Sequence, residues 1–290
     1  MRELLDGIAS QLASSQQLDR ESRLDAKRES RLLAAAVLGW APGEIARRVD
    51  EALSDAERER ILDAAYRRAR GEPLAYAVGT APFRHLVLHV DNRVLIPRPE
   101  TESVVQEALD ATSDNPGGIA VDIGTGSGAI ALALATEGRF DRVIATDVSV
   151  DALDVARLNA AEIKPPIPVE FRMGSDLTPL EGVRARVIVS NPPYIAYDEA
   201  SALPASVRDW EPATALFAAD GGMARYNAIL AESPRFLEPG GLVVLELDAR
   251  RAGETAERAR RLGWLDIRIL RDLSGRERVL VARSPVTAFP

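Results

Sequence analysis

The chain has 290 residues, of which 46% are hydrophobic and 28% charged, and its formal net charge is −8. This composition is typical of a folded globular protein and excludes general disorder. The acidic balance is the opposite of what a nucleic-acid backbone usually selects, so we expect no direct nucleic-acid partner. Without cysteine there is no disulfide, no thiolate nucleophile and no cysteine-ligated metal, and two histidines exclude a histidine-rich metal cluster. We expect no metal site.

The first residues, 1–6, include two acids where a signal peptide would need a plain apolar stretch. The longest apolar runs, such as 129–135, are too short to cross a bilayer. We therefore expect a cytoplasmic protein that has no membrane partner. As a separate expectation, the protein is a monomer.

Residues 1 to about 70 have apolar side chains at helical spacing, in 4–12, 32–37 and 61–69. Ser54 and Glu57 form a capping-box pattern ahead of the last of these stripes. Charges of both signs alternate along the region, which is typical of solvated helix faces. The pattern predicts a small helical bundle as a separate domain over 1–72.

From Pro73 the pattern turns extended. Residues 86–90 alternate, Asp91 and Asn92 supply a turn signal, and 94–96 form a second apolar run. The sequence therefore predicts a β-hairpin linker over 73–98. Acids at 100–102 then favour a helix that begins there and runs to about residue 111.

Strand and helix patterns alternate over the rest of the chain, 99–290, which predicts an α/β domain with a mostly parallel sheet covered on both faces. The last two predicted strands, 266–270 and 278–282, flank a turn at 272–276 and predict an antiparallel edge hairpin. The other predicted strands are 119–123, 142–146, 169–172, 187–190 and 242–247, and the predicted helices between them are 127–137, 150–162 and 223–237.

A glycine-rich turn ends the first strand of this domain and opens a helix. Such a turn lets a ligand lie against the main chain. Asp147 ends the next strand, where a carboxylate can accept both hydroxyls of a ribose. Asp122, just before the turn, would repel a diphosphate and favours a cationic ligand such as S-adenosylmethionine. The predicted cofactor residues here are Gly124, Thr125, Gly126, Ser127, Gly128 and Asp147, with Asp176 and Leu177 after the third strand as candidates for the adenine.

The motif Asn191-Pro192-Pro193-Tyr194 follows the fourth strand at the same sheet edge. The prolines stiffen the backbone and leave carbonyl oxygens as acceptors, and Asn191 adds a side-chain oxygen. Tyr194 offers a flat face for a planar group. The motif is a rigid site for a planar –NH2 group, which is what methylation of an amide or exocyclic amine requires. It predicts Asn191, Pro192 and Tyr194 as catalytic and all four residues as substrate-binding.

Taken together, these motifs resemble the HemK/PrmC family of protein-(glutamine-N5) methyltransferases, which modify peptide chain release factors. The most specific segment is Ile-Pro-Arg-Pro-Glu-Thr-Glu at 96–102. The chain departs from the family pattern at Arg84-His85 and at 248–250. The other segments that carry the resemblance are 71–76, Gly79, Phe83, 94–95, 122–128, 191–194, 211–212, 215–216 and 272–276.

The resemblance implies a Rossmann-like class I methyltransferase domain with seven strands. It implies S-adenosylmethionine at 124–128 and Asp147, with Leu177 against the adenine. It further implies that 191–194 hold the glutamine of a Gly-Gly-Gln loop, that Asn191 contacts the cofactor as well, that the helical domain docks the release factor, and that Arg98 and 100–102 line the cofactor side.

Three other interpretations compete with this one. An amino-methyltransferase acting on RNA or DNA would share Asn191 and the cofactor site. A nicotinamide-dependent dehydrogenase would use the glycines and Asp147 but gives the residues after Ser190 no task. A non-catalytic binding module would keep the fold and the cofactor without turnover.

Overall fold

The computed structural model describes residues 1–41, 43–272 and 274–285. The chain divides into two compact units, one formed by 1–80 with 203–210 and the other by 81–202 with the described residues from 211 onward. Leu273, in the predicted edge turn, lies outside the described residues. Within the described part of the chain, no helix is long and apolar enough to cross a membrane.

The first unit is helical. Its core is formed by fully buried side chains such as Leu12, Leu33 and Ile61, which come from three different helices. The predicted capping box is present: the Ser54 hydroxyl accepts from the Glu57 N–H, and the Glu57 carboxylate accepts from the Ser54 N–H. Helices of five residues or more are α1 (Arg2–Ser14), α2 (Arg20–Leu24), α3 (Ala26–Leu38), α4 (Glu44–Arg48), α5 (Asp55–Ala69) and α6 (Leu74–Val78), and a four-residue helix spans Ala205–Arg208.

The predicted linker over 73–98 does contain a hairpin, but the predicted turn at Asp91-Asn92 is wrong. The two paired strands are β1 (Thr80–Phe83) and β2 (Leu86–His89), so the turn falls at Arg84-His85, and residues 94–96 are not a strand. Residues 74–78, expected to be extended, form α6.

The turn falls at Arg84 because Arg84 takes a left-handed backbone conformation (φ 51°) that several contacts hold in place. Its guanidinium donates to the Glu137 carboxylate (2.6 and 2.8 Å), and its N–H donates to the Glu102 carboxylate (2.9 Å). Arg84, part of one of the two departures from the family pattern, thus makes the contacts that fix the turn. Because the partners Glu102 and Glu137 are 18 and 53 residues away along the chain, the sequence around the turn does not indicate these contacts.

The second unit contains the predicted seven-stranded sheet. Its strands are β3 (Ile119–Ile123), β4 (Arg142–Asp147), β5 (Val169–Met173), β6 (Ala185–Ser190), β7 (Leu237–Glu246), β8 (Leu265–Arg271) and β9 (Glu277–Arg283). They lie in the order β5-β4-β3-β6-β7-β9-β8. Neighbours from β5 to β7 are parallel, whereas β9 is antiparallel to both β7 and β8, as predicted for the edge hairpin.

Helices cover both faces of this sheet. Leu132 and Val105 lie in the core on one face, and Tyr226 and Trp264 lie in the core on the other. The helices of five residues or more are α7 (Thr101–Thr112), α8 (Ala129–Glu137), α9 (Val150–Ile163), α10 (Ala224–Glu232) and α11 (Ala252–Arg261), with a shorter helix at Ala213–Leu216 and 3₁₀ turns at Thr178–Leu180, Tyr197–Ala202, Asp220–Gly222 and Ser233–Arg235.

Two predicted helix ends are corrected. The helix expected from residue 127 begins at Ala129, because Gly126 and Gly128 have positive φ angles (55° and 86°) that a helix does not accept. The helix expected over 223–237 ends at Glu232, where a 3₁₀ turn containing Pro234 follows.

Candidate active site

One cleft lies at the carboxyl ends of the parallel strands, where sheets of this kind bind ligands. Loops after β3, β4, β5 and β6 contribute to it, together with segments 93–95 and 212–215. The predicted site residues that line it are Gly124, Gly126, Asp147, Asp176, Asn191, Pro192 and Pro193. Thr125, Ser127, Gly128, Leu177 and Tyr194, also predicted, are not among its lining residues.

The glycine turn is held by the strand beside it. The N–H groups of Gly124 and Thr125 both donate to the Thr146 carbonyl (2.9 and 2.8 Å). A Cβ atom at Gly124 or Gly126 would meet nothing within 4 Å, so these glycines leave space in the cleft. Gly128 is required for packing instead, since a Cβ there would stand 3.1 Å from the Leu132 side chain. The turn therefore has an open side toward the cleft and a packed side toward the helices.

Asp122 supports the turn from below. It is fully buried, and its Oδ2 accepts from the Thr125 hydroxyl (2.6 Å) and the Ala131 N–H (3.1 Å). Burial raises the pKa of this carboxyl to about 7. Of the two roles that the sequence suggested, accepting from a ligand amine or orienting the loop, these contacts support the second.

Asp147 lies in the cleft and ties two loops together. Its Oδ2 accepts from the Gly126 N–H and its Oδ1 from the Ser149 N–H, both at 2.9 Å. A carboxylate oxygen has more than one acceptor site, so both oxygens can still receive hydroxyl groups. The carboxylate is thus oriented before any ligand arrives.

Asp176 and Leu177 lie in different surroundings in the structure. Asp176 lines the cleft and accepts from the Arg225 guanidinium (2.7 Å) and the Ser175 hydroxyl (3.0 Å). Leu177 is fully buried in the core below. Arg225, on α10, also lines the cleft and was not predicted, because its place depends on how α10 packs on the sheet.

Asn191, Pro192 and Pro193 form one wall of the cleft, directly after β6. Ser190 fixes the start of this wall by donating its buried hydroxyl to the Ile123 carbonyl (2.7 Å). Tyr194 packs against the core instead, and burial raises the pKa of its phenol above the ordinary value.

Thr101 and Glu246 stand behind Asn191. Glu246 was not predicted as a site residue, and Thr101 was expected, as part of 100–102, only to line the cofactor side. The Asn191 Nδ2 donates to the Thr101 hydroxyl (3.2 Å), which donates to the buried Glu246 carboxylate (2.5 Å). Ser190 pairs with Leu245 across β6 and β7, so the next residues, Asn191 and Glu246, follow at the same edge. The only sequence signal was the presence of Thr101 in the segment most specific to the family.

Residues 93–95 line the cleft, whereas Arg98 and 100–102 are not among its lining residues. Arg98 forms an ion pair with Glu211 instead, and the Ile96 N–H donates to the same carboxylate (3.1 Å). These contacts hold the segment before α7 in an irregular path, which also explains why 94–96 do not pair as a strand.

Comparison with known proteins decides the family. Residues 3–79 match the PrmC N-terminal domain and residues 103–207 match the methyltransferase small domain. A release factor glutamine methyltransferase from Burkholderia pseudomallei is 39% identical over 278 residues, 94% of this chain and 97% of that protein. This chain belongs to the release factor glutamine methyltransferase family. Relatives with the same name from Rhodopirellula baltica and Moorella thermoacetica are 36% and 38% identical, over 89% and 87% of this chain and 88% and 90% of theirs.

Solved structures show the same fold for this methyltransferase. A methyltransferase from Pyrococcus furiosus superposes with a TM-score of 0.53 at 20% identity, covering 80% of this chain and all of that one. The hMettl16 catalytic domain reaches a TM-score of 0.57 at 17% identity, covering 81% and 82% of the two chains. At these identities the likeness concerns the Rossmann-like methyltransferase fold alone.

Proposed function

We propose that this enzyme transfers a methyl group from S-adenosyl-L-methionine to the side-chain amide nitrogen (N5) of the glutamine in the Gly-Gly-Gln loop of peptide chain release factors. The observation that carries the proposal is that Asn191 lines the same cleft as Gly124, Gly126 and Asp147. The likeness to named release factor glutamine methyltransferases over nearly the whole chain supports the choice of substrate.

The residues of the cleft fit S-adenosylmethionine. Gly124 and Gly126 leave open space beside the main chain, and the Asp147 carboxylate is oriented to receive ribose hydroxyls. Asp176 also lines the cleft and would contact the adenine, and the buried Leu177 supports that loop from the core. When bound, the cofactor supplies an electrophilic methyl group on a positively charged sulfur.

Asn191 and Pro192 would hold the substrate amide. The Asn191 Oδ1 and the Pro192 carbonyl accept the two amide hydrogens, while Pro193 keeps the wall rigid and Tyr194 supports the motif from the core side. Fixing both hydrogens favours a pyramidal nitrogen whose lone pair points into the cleft, and such alignment is worth several kcal/mol. The nitrogen releases one proton to water after methylation, so no strong base is required.

The helical domain predicted over 1–72 would dock the release factor. The match of residues 3–79 to the PrmC N-terminal domain supports this proposal, and the named relative from Burkholderia pseudomallei is similar over 94% of this chain. An acidic chain of net charge −8 is poorly suited to hold a nucleic acid directly.

The direct test is mass spectrometry of purified release factor after incubation with the enzyme and S-adenosylmethionine. We expect one added methyl group, on the glutamine of the Gly-Gly-Gln loop. Total RNA and DNA should take up none in parallel reactions. Methyl transfer to nucleic acid with an unmodified release factor would replace the proposal by the amino-methyltransferase alternative.

Asn191→Ala tests the role of the wall. Loss of the acceptor should lower kcat about a hundredfold, by analogy with the removal of one positioned hydrogen-bonding group from an active site. Calorimetry with S-adenosylhomocysteine should give a dissociation constant close to that of the parent enzyme. Near-parent turnover in this variant would contradict the role of Asn191.

Asp147→Asn tests the ribose contact separately from the support that Asp147 gives to the glycine turn. Asparagine also loses one of the two acceptors that hold the Gly126 and Ser149 N–H groups, so we expect binding of both ligands to weaken, and binding of S-adenosylhomocysteine to weaken more than that of its 2′,3′-dideoxy analogue. Equal weakening for both ligands would mean that Asp147 acts only through the turn.

A further inference from the structure

Asn191 can act as an acceptor only if its side-chain amide is turned the right way. An asparagine amide has an acceptor end and a donor end of almost the same shape, so a half-turn would present N–H groups to the substrate's own N–H groups. Such a turn would remove the hydrogen bond and place donors against donors. The wall therefore needs something that fixes the direction of this one amide.

Two buried side chains supply that direction. Thr101 is 4% exposed and Glu246 is 1% exposed. The Thr101 hydroxyl has one hydrogen, and the ionised Glu246 carboxylate has only acceptors, so with Glu246 ionised this hydrogen goes to Glu246 (2.5 Å). Thr101 can then only accept from Asn191, which must point its Nδ2 toward Thr101 (3.2 Å). The Asn191 Oδ1 is then the end of the amide that points away from Thr101 and can accept from the substrate.

We propose that Thr101 and Glu246 are positioning residues that set the direction of the Asn191 amide, so that its oxygen receives an N–H of the substrate amide. The inference deepens the proposed function and rests on it. The fold supports the arrangement, because Thr101 is the first residue of α7, while Asn191 and Glu246 follow paired positions of β6 and β7.

Three variants of α7 test the proposal. Thr101→Val keeps the shape of the side chain but removes the hydroxyl, and Thr101→Ser restores the hydroxyl. Thr112→Val is the matched control: Thr112 is also buried, ends the same helix, and gives its hydroxyl to the Ala108 carbonyl (2.7 Å), with no path to Asn191.

We expect Thr101→Val to lower kcat for release factor methylation about tenfold or more, the scale of a small misplacement at the reacting atoms. The dissociation constant for S-adenosylhomocysteine should change less than about twofold, since the cofactor loops are untouched. Thr101→Ser should recover most of the lost kcat. Thr112→Val should lower thermal stability without a comparable loss of kcat.

A second readout does not depend on activity. The side-chain NH2 signals of Asn191, assigned in the ¹⁵N-labelled enzyme by their absence from Asn191→Ala, should shift in Thr101→Val and return toward the parent positions in Thr101→Ser. Parent-like kcat and unshifted signals in Thr101→Val would overturn the inference, as would an equal loss of kcat in Thr112→Val. A parent enzyme that leaves release factor unmodified would instead overturn the proposed function.

Discussion

Replacing Glu246 by glutamine should make the enzyme more stable at neutral and alkaline pH. Burial raises the pKa of the Glu246 carboxyl from an ordinary value of 4.5 to about 7, and the Thr101 hydrogen bond opposes that shift only in part. Arg278 and Arg98 nearby also favour the charged form, while Glu100 disfavours it. The folded protein therefore holds this proton more tightly than the unfolded chain does.

The sign and size follow from linkage. Between pH 4.5 and about 7 the folded state binds more protons at Glu246 than the unfolded state, so stability falls as the pH rises through this window and levels off above it. The rise from 4.5 to about 7 corresponds to roughly 3 kcal/mol in full, most of which is lost between pH 5 and pH 8. Glutamine has no proton to lose and escapes this penalty.

The assay is chemical denaturation of the parent enzyme and Glu246→Gln at several pH values from 5 to 8. The stability advantage of the variant should grow by roughly 2 to 3 kcal/mol across that range. Asp122, whose pKa burial also raises to about 7, titrates in both proteins and cancels from the comparison. Glu257→Gln, at an exposed position on α11, is the control. Parallel stability curves for parent and Glu246→Gln would refute the reasoning.

Two further predictions concern other parts of the chain. Ser54→Ala removes the N-cap of α5 and should cost about 1 kcal/mol of stability, measured by denaturation of the full chain, with no change in the dissociation constant for S-adenosylhomocysteine. Gly222→Ala should sharply lower methylation, because its φ is +89° and a Cβ there would stand 2.2 Å from the Tyr194 carbonyl and 2.5 Å from the Arg251 guanidinium. A fully active Gly222→Ala enzyme would show that the loop after Tyr194 tolerates displacement.

The sheet was predictable because its signals are local. The parallel strands β3, β4, β6 and β7 each contain a short apolar run, and the glycine turn, Asp147 and Asn191 each come soon after such a run. Since parallel strands end at one edge, the sequence alone could place these residues in one cleft. The antiparallel edge pair also followed from two apolar runs joined by a short turn.

The position of the hairpin turn was not predictable for the opposite reason. Asp91 and Asn92 carry the stronger local turn signal, yet the turn is made at Arg84, a residue type that rarely takes a positive φ. Partners from two distant helices, Glu102 and Glu137, hold Arg84 there. Tertiary contacts of this kind outweigh local propensity, and they produce no periodic pattern in the sequence from which they could be predicted.

The same limit explains why the sequence indicated Asn191 but not the groups that orient it. Thr101 is 90 residues away from Asn191 along the chain, and Glu246 is 145 residues away from Thr101. Glu246 reads as the polar end of a strand and Thr101 as the start of a helix, and both interpretations are correct as far as they go. Only the pairing of β6 with β7 and the packing of α7 against them make the three side chains one unit. A buried carboxylate that lowers stability at neutral pH yet directs the amide beside the substrate is the combination expected where function, and not folding, has selected the residue.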